Sequence, residues 1–493
     1  MRKLLCALLM LATALPAAGQ NAAGQNAVGP TLSLDEALAL AKANNPTYLQ
    51  SNNGRRRADA SLRSARGQFL PGASTNFGTA YRQGRPQFFQ GVQFGSNSDI
   101  VSSSWGLNVS ANLSASSFGS LKAAQSNVTA SESDIASALQ NLRYTVTSQY
   151  FLVLEDQAQL QLQDTLVAVN RLQVDLARAK AGVGSATSLD VKRAEVALGT
   201  QQVVALRARN VADVDMLRLF QDIGIPPQTS VRLTTIPAVT EPKFDLNQLI
   251  AMATQSNPLL LSLAARIESA KQNYNSARAQ YFPSLGFQGS IGGTSSQYTD
   301  QNYLVTQAQS QAASAQAQCY STDSLRRGAG LAGLSYCGSY VLTSAEAQQI
   351  RAGNQNFPFK FISNPYNLSL ALSLPLFNGF QREQTIESSA ADESDAQYNL
   401  KAQQLKLTAD VQSAHVTLIA DYQALRLQES NSVAAREALQ LAEERYRVGL
   451  NSLVDLQQAR SDYETAEAGR INAVFEFHRA FAALESAVGR SLR

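Results

Sequence analysis

The chain has 493 residues, 44% of them hydrophobic and 16% charged, with 41 Lys and Arg against 38 Asp and Glu. That near balance offers no basic footprint for nucleic acid. The two histidines, His415 and His478, are far apart with no Cys or His partner at ligand spacing, and no nucleophile with a base, phosphate loop or carboxylate pair stands out. No metal, cofactor or catalytic activity is expected.

Residues 1–19 open on Arg2 and Lys3, continue with an apolar run from Leu4 to Leu15, and close on Ala17-Ala18-Gly19. This is the pattern of a secretory signal peptide. Cleavage near Gly19 leaves 39 basic against 38 acidic residues and removes Cys6. With no cysteine at the new N-terminus, a lipid anchor is not expected. Beyond the signal, no run approaches the roughly 18 apolar residues of a membrane-spanning helix.

The remainder is built from two repeats, 20–223 and 246–493, joined by a Pro-rich linker over 224–245. Leu34 to Pro71 returns without a gap as Leu246 to Pro283, with 12 identities in 38 positions. Downstream, Val183 to Asp190 matches Val448 to Asp455 at an offset of 265. In chain order the first repeat predicts a helix over 46–70, strands over 73–82 and 105–114, and helices over 121–180 and 187–222. The second predicts a helix over 258–282, strands over 285–292 and 367–377, and helices over 380–447 and 452–489. Between its strands lies a long loop, 293–366, which holds Cys319 and Cys337. In an exported chain these favour a disulfide, which would contribute about 3 kcal/mol by restricting the unfolded loop.

The four strands alternate strictly in polarity. Ala73, Thr75, Phe77, Thr79 and Tyr81 share one face, as do Leu107, Val109, Ala111 and Leu113; Leu285, Phe287 and Ile291 follow, then Leu368, Leu370, Leu372, Leu374 and Leu376. Asn, Ser, Gln and Gly fill the other face. Alternation suits either a half-buried sheet on a soluble core or a sheet between lipid and water. Four strands are too few for a membrane barrel, since the smallest single-chain barrels use about eight. Three copies would supply twelve. Long loops on one side of such a barrel face outward, which gives 293–366 an extracellular place, and Tyr81 and Trp105, at strand ends, suit an interfacial aromatic girdle.

The helical stretches are rich in Ala, Gln, Leu, Arg and Glu. The 60 residues of 121–180 span about 90 Å. The helices over 46–70 and 187–222 together match that length, so each repeat predicts one long helix beside one broken helix. Helices this long need lateral partners throughout. A hollow wall with narrow seams of small residues provides them; a coiled-coil rod is the alternative. Arg55-Arg56-Arg57 could bias a lumen toward anions, but a short charge run of this kind is more often a solvated helix face.

The repeats, the Asn45-Pro46 and Asn257-Pro258 starts, the Pro375 to Gly379 run (Pro-Leu-Phe-Asn-Gly) and the paired Val-Gly-x5-Asp turns together resemble the TolC-type outer-membrane efflux protein family. The resemblance implies a mainly α fold with a transmembrane β-barrel portion. It implies a homotrimer whose twelve-stranded barrel sits in outer-membrane lipid and continues into an α-helical tunnel through the periplasm. Passive export would follow when this duct docks to a periplasmic adaptor and an inner-membrane pump.

By the same resemblance, Asp455 matches a constriction aspartate, three copies of which would favour cations. Tyr446 and Asp190 match positions whose contact holds the entrance closed. Val183-Gly184-Ser185 and Val448-Gly449-Leu450 match the tips where the adaptor docks. Asn451 and Gln458 depart from the pattern, standing where the best-known member has arginine and a second aspartate. An arginine latch is therefore absent and the constriction carries fewer charges. Independently of any gate, Asp190 and Asp455 follow helix-starting turns, where a carboxylate stabilises the helix by about 0.3 to 1 kcal/mol. Both roles can coexist. A duct for type I protein secretion and an exported coiled-coil structural protein are the alternative functions.

Overall fold

Wherever Ala, Gln, Leu and Glu dominate without Pro or Gly, the chain is helical. The computed structural model describes residues 31–492 except 85, 86, 90, 91, 95–97, 229, 230 and 237. The segment expected to be a signal peptide, 1–19, lies outside the described residues. Ten α-helices are described: α1 (Leu34–Asn44), α2 (Pro46–Gly67), α3 (Ala115–Gly182), α4 (Ser188–Ile223), α5 (Leu246–Ser256), α6 (Pro258–Arg278), α7 (Tyr303–Gly328), α8 (Ser344–Gly353), α9 (Gln381–Arg447) and α10 (Leu453–Val488). The strands are β1 (Thr31–Leu32), β2 (Gly72–Arg82), β3 (Gln87–Phe89), β4 (Val92–Phe94), β5 (Ile100–Ser114), β6 (Arg232–Leu233), β7 (Ser284–Tyr298) and β8 (Ile362–Ser373).

Two compact units cut across the sequence repeats. One holds the residues up to Arg57 with Thr129–Ala265 and Gln397–Arg493; the other holds Ala58–Val128 and Arg266–Ala396. Each repeat contributes to both.

The helical unit has two large cores, the first drawn mainly from the first repeat but completed by Ile471 and Phe475 of α10. Ala37 and Ala41 of α1 are buried with Val146, Tyr150, Phe151, Leu219 and Ile223. Their repeat equivalents on α5, Leu249 and Ala253, are buried with Leu418, Leu425, Phe477 and Phe481. Along α9 the buried positions Leu407, Val411, Leu418 and Leu425 keep a spacing of four and then seven, a single narrow stripe. The broken helices are joined by the same device twice. At Gly224 (φ 84°) the end of α4 meets the start of α2 so closely that a Cβ would come within 2.6 Å of the Asn44 carbonyl oxygen. At Gly489 (φ 83°) the end of α10 meets Asn257 and Pro258 at 3.2 and 3.3 Å. The asparagines complete each joint: Asn45 Nδ2 donates to Asp222 O at 2.7 Å, and Asn257 Nδ2 to Ala487 O at 3.4 Å. A parallel β1–β6 pair, absent from the sequence reading, is held by the Tyr150 hydroxyl, which donates to Leu32 O and accepts from Thr234 N and Thr235 N.

In the other unit the sheet order is β2-β5-β7-β8, with every pairing antiparallel. Its register aligns Thr75 with Leu107 and Ile291, Ala111 with Phe287 and Leu370, and Leu113 with Leu285 and Leu372. All four alternating apolar sets therefore share one face. Asn76, Asn108, Ser110, Gln288 and Ser369 occupy the opposite one. The edge strands β2 and β8 are exposed along their whole length.

Several boundaries differ from expectation. β5 begins at Ile100 and β7 runs on to Tyr298, five and six residues past the predicted limits, because the Ser-rich stretches 102–104 and 294–296 hide the alternation. Trp105 is consequently interior to its strand, not at its end. β8 spans Ile362–Ser373 in place of 367–377: Pro375 has no N–H for the ladder, which leaves Leu374 and Leu376 beyond it. Helix 121–180 starts earlier, at Ala115, while 46–70 ends at Gly67 and 258–282 ends at Arg278, followed by a 3₁₀ turn over Ala279–Tyr281. The segment 293–366 is not simply a loop, since it contains the end of β7, α7, α8 and the start of β8. Cys319 and Cys337 are disulfide-bonded within it.

Candidate functional site

Two helical turns, α3 to α4 and α9 to α10, are built by the same local chemistry. Each long helix closes on a glycine in the left-handed region, Gly184 (φ 75°) and Gly449 (φ 82°). Ser185 N donates to Lys180 O at 2.9 Å and Gly184 N to Ala181 O at 3.1 Å; Leu450 N donates to Arg445 O at 2.9 Å and Gly449 N to Tyr446 O at 3.2 Å. These paired bonds form a Schellman motif at each end, satisfying carbonyls that a helix C-terminus would otherwise leave open. Nothing lies within 4 Å of a Cβ placed on either glycine, so backbone geometry alone selects glycine there.

The next helix begins in each case with a capping box. Thr187 Oγ1 accepts from Asp190 N at 3.2 Å, while Asp190 Oδ2 accepts from Thr187 N at 2.9 Å and Thr187 Oγ1 at 2.7 Å. Ser452 and Asp455 repeat the arrangement at 3.2, 3.0 and 2.8 Å. Hydrogen bonds from the Thr187 and Ser452 side chains, then from their backbones, hold both carboxyls below the ordinary aspartate range. Both aspartates therefore serve as helix caps, whatever else they do.

Tyr446 does not point into solvent. It is buried in a small cluster with Ala442, Leu453 and Leu456. Lys180 of α3 reaches across to it, with Nζ 4.1 Å from the ring centroid and donating to Tyr446 O at 3.2 Å. Burial and then the Asp190 charge raise the Tyr446 phenol above its ordinary range, so that carboxylate is an electrostatic neighbour whose hydrogen bonds go to Thr187. Asn451 is half-buried in the turn, and exposed Gln458 donates to Asp462 Oδ1 at 2.8 Å. Val183, Leu189, Val448, Leu450 and Val454 are exposed, leaving both tips apolar.

Sequence reasoning missed Lys180 and one further device. Arg178 pairs with Glu195 at 2.8 Å across the first hairpin, and Glu443 pairs with Arg460 at 3.1 Å across the second. The offset of 265 superposes Arg178 on Glu443 and Glu195 on Arg460, so the same clamp occurs twice with its polarity reversed. That offset was the available signal. Of the other residues considered, Arg55 pairs with Glu132 at 3.1 Å, His415 Nε2 lies 3.2 Å from Phe244 O, and buried His478 stacks on Phe151 at 5.1 Å. No helix among the described residues is long and apolar enough to cross a membrane.

A four-stranded sheet with one apolar face, together with duplicated long helices that end in twin capped turns, has counterparts among known proteins. The family model for outer membrane efflux proteins matches residues 37–224 and 340–490. The chain belongs to that family. Protein CyaE of Bordetella pertussis is 24% identical to this family member over 467 residues, covering 93% of this chain and 84% of its own length. The outer-membrane channel OprN superposes with a TM-score of 0.68 at 17% identity, covering 93% of this chain and 90% of its own. The Campylobacter jejuni CmeC outer membrane channel gives 0.69 at 14% identity, covering 92% and 85%. As an outer membrane efflux protein, the chain is a passive channel rather than an enzyme, located in the outer membrane with its helical part in the periplasm. Members of the family are trimeric channels that work with adaptor and inner-membrane pump partners.

Proposed function

We propose that three copies of this chain close a twelve-stranded barrel and a helical tunnel, forming a gated exit duct through which solutes leave by way of an adaptor and an inner-membrane pump. The sheet carries the reading. Among the described residues its edges β2 and β8 are both unpaired along their exposed lengths, and the alternating apolar residues of its four strands share one face. Open edges are not tolerated in lipid, because each unpaired backbone group costs several kcal/mol there. With four antiparallel strands per copy, β2 and β8 run in opposite directions, so β8 of one copy can join β2 of the next without breaking the antiparallel order.

The entrance lies at the twin turns in this reading. Three Asp455 side chains ring the axis and attract cations, with Asn451 and Gln458 contributing no further charge. Tyr446 and Asp190 belong to the closed state together with Lys180. The apolar tips at Val183-Gly184-Ser185 and Val448-Gly449-Leu450 are where the adaptor docks. Native mass spectrometry of the detergent-extracted protein tests the assembly. A mass three times that of the mature chain is expected; a monomer or dimer retaining the native fold contradicts it.

A further inference from the structure

The segment just before β8 does not leave the sheet but folds back over it as a strap. Asn354 fixes its start, accepting from Tyr298 N and donating to Tyr298 O, each at 2.9 Å. Ser295 Oγ then donates to Asn356 O at 2.7 Å, Phe357 N donates to Gln297 Oε1 at 3.3 Å, and the Ser103 hydroxyl donates to Pro358 O. Phe359 and Phe361 pack against Phe77 with ring centroids 6.3 and 6.2 Å apart. Underneath, Gly293 leaves no room for a Cβ, which would meet Phe361 Cβ at 3.2 Å and Trp105 Nε1 at 2.8 Å.

The face it covers is informative. Ser103 and Ser295 alternate in phase with Leu107 and Ile291, on the apolar side of the sheet, yet they are 2% and 1% exposed. Hydroxyls occur there because the strap's carbonyls need donors. The strap's outer surface is apolar again: Phe359 is 72% exposed, with Phe357, Ile362 and Lys360 exposed beside it. It thus continues the apolar face outward, with a cation at its rim.

Its height fits a membrane boundary. From Trp105, beneath the strap, to Ser114 at the other end of β5 the strand rises about 30 Å, or about 23 Å along the axis of a barrel with the usual tilt, against an apolar band about 25 Å tall. At that opposite end another set of aromatics gathers, Phe69 with Phe118 and Phe377 with Phe380, alongside exposed Phe282. Aromatic rims bound the lipid band of such barrels on both sides.

We infer that the Phe357–Phe361 strap is a lipid-interface anchor: its rings seat at the headgroup boundary, and Lys360 meets lipid phosphate. Most barrels place such rings on their strands, whereas here a returning segment supplies them. The inference rests on the sheet being the lipid-facing part of the duct, so the test separates the two ideas. Trp105 is the chain's single tryptophan. In a Trp105→Phe background, Phe359→Trp and Leu370→Trp are each reconstituted as full-length protein into phosphatidylcholine vesicles brominated either near the headgroup or deep in the acyl chain. If Trp105→Phe does not insert, the same two substitutions are read as differences from wild type. The Phe359→Trp emission is expected to be lost mainly to shallow bromines, and that of Leu370→Trp to deep ones. Quenching at 359 by aqueous acrylamide but not by brominated lipid, with Leu370→Trp still quenched, places the strap in water and overturns the inference alone. Protection from both quenchers at 359 means a neighbouring copy covers it, which also overturns it. If Leu370→Trp escapes brominated lipid, the reading of the sheet fails and the anchor with it.

Discussion

Asp455 is given two duties, cap and constriction, and a pair of substitutions separates them. Ser452→Ala removes the hydroxyl that accepts from Asp455 N at 3.2 Å and donates to Asp455 Oδ2 at 2.8 Å, yet leaves the carboxylate charge and its 3.0 Å bond from Ser452 N. Loss of a serine N-cap costs about 1 kcal/mol, enough to multiply the frayed population of the turn by about five. Asp455→Ala also breaks the box but removes the charge. Single-channel recording with a trivalent cation on the periplasmic side reports the charge, and hydrogen exchange of the amides over 452–456 reports the cap. Asp455→Ala should abolish cation block, whereas Ser452→Ala should keep it and speed exchange about fivefold. If Ser452→Ala loses the block as fully as Asp455→Ala, the carboxylate acts only through the cap. If Asp455→Ala is still blocked, it does not line the constriction.

Further outcomes follow from other contacts. Half-buried Asp156 of α3 faces Asp215 of α4, and burial, followed by that neighbouring carboxyl, pushes it from 3.8 to about 7. The folded state then holds a proton that the unfolded state has released, so stability falls as pH rises from about 4 to about 7 and levels off above. After discounting for solvent screening, Asp156→Asn should gain about 1–2 kcal/mol at pH 8 and almost nothing at pH 4, seen as a higher thermal midpoint only at the higher pH. Lys180→Ala loses both the contact with the Tyr446 ring and the bond to its carbonyl, worth about 0.5–1 kcal/mol, and should raise the open probability; Tyr446→Phe keeps both and should behave like wild type. Equal effects from the two variants would assign the closed state to the phenol hydroxyl instead. Reducing the Cys319–Cys337 disulfide should weaken α7 and its turn by about 3 kcal/mol, so that limited proteolysis between 329 and 343 quickens while the sheet survives; unchanged proteolysis would show that packing alone holds this segment.

The strands and twin turns were legible because their physics is local. Leucine at every second position from 368 to 376 states a face, and Val-Gly followed by Thr-x-x-Asp or Ser-x-x-Asp states a helix end and a new helix start. Where one local rule runs into another, alternation and strand limits part company: Pro375 stops the ladder while the leucine alternation continues, and Ser103 and Ser295 break the alternation because the strap covers them. The strap has no period of its own, so only the folded chain shows what it lies upon. The same holds for Lys180, whose role depends on a residue 266 positions away. α7, rich in Ala and Gln, carried helix propensity that the surrounding Ser and Gly masked.

The exit-duct account is tested most directly by the ionic conductance of the purified, mass-verified trimer inserted into planar bilayers. Stable unitary currents with cation selectivity that weakens in Asp455→Ala are the expected result. Correctly folded, membrane-inserted trimers that pass no current, with or without Asp455, would contradict it.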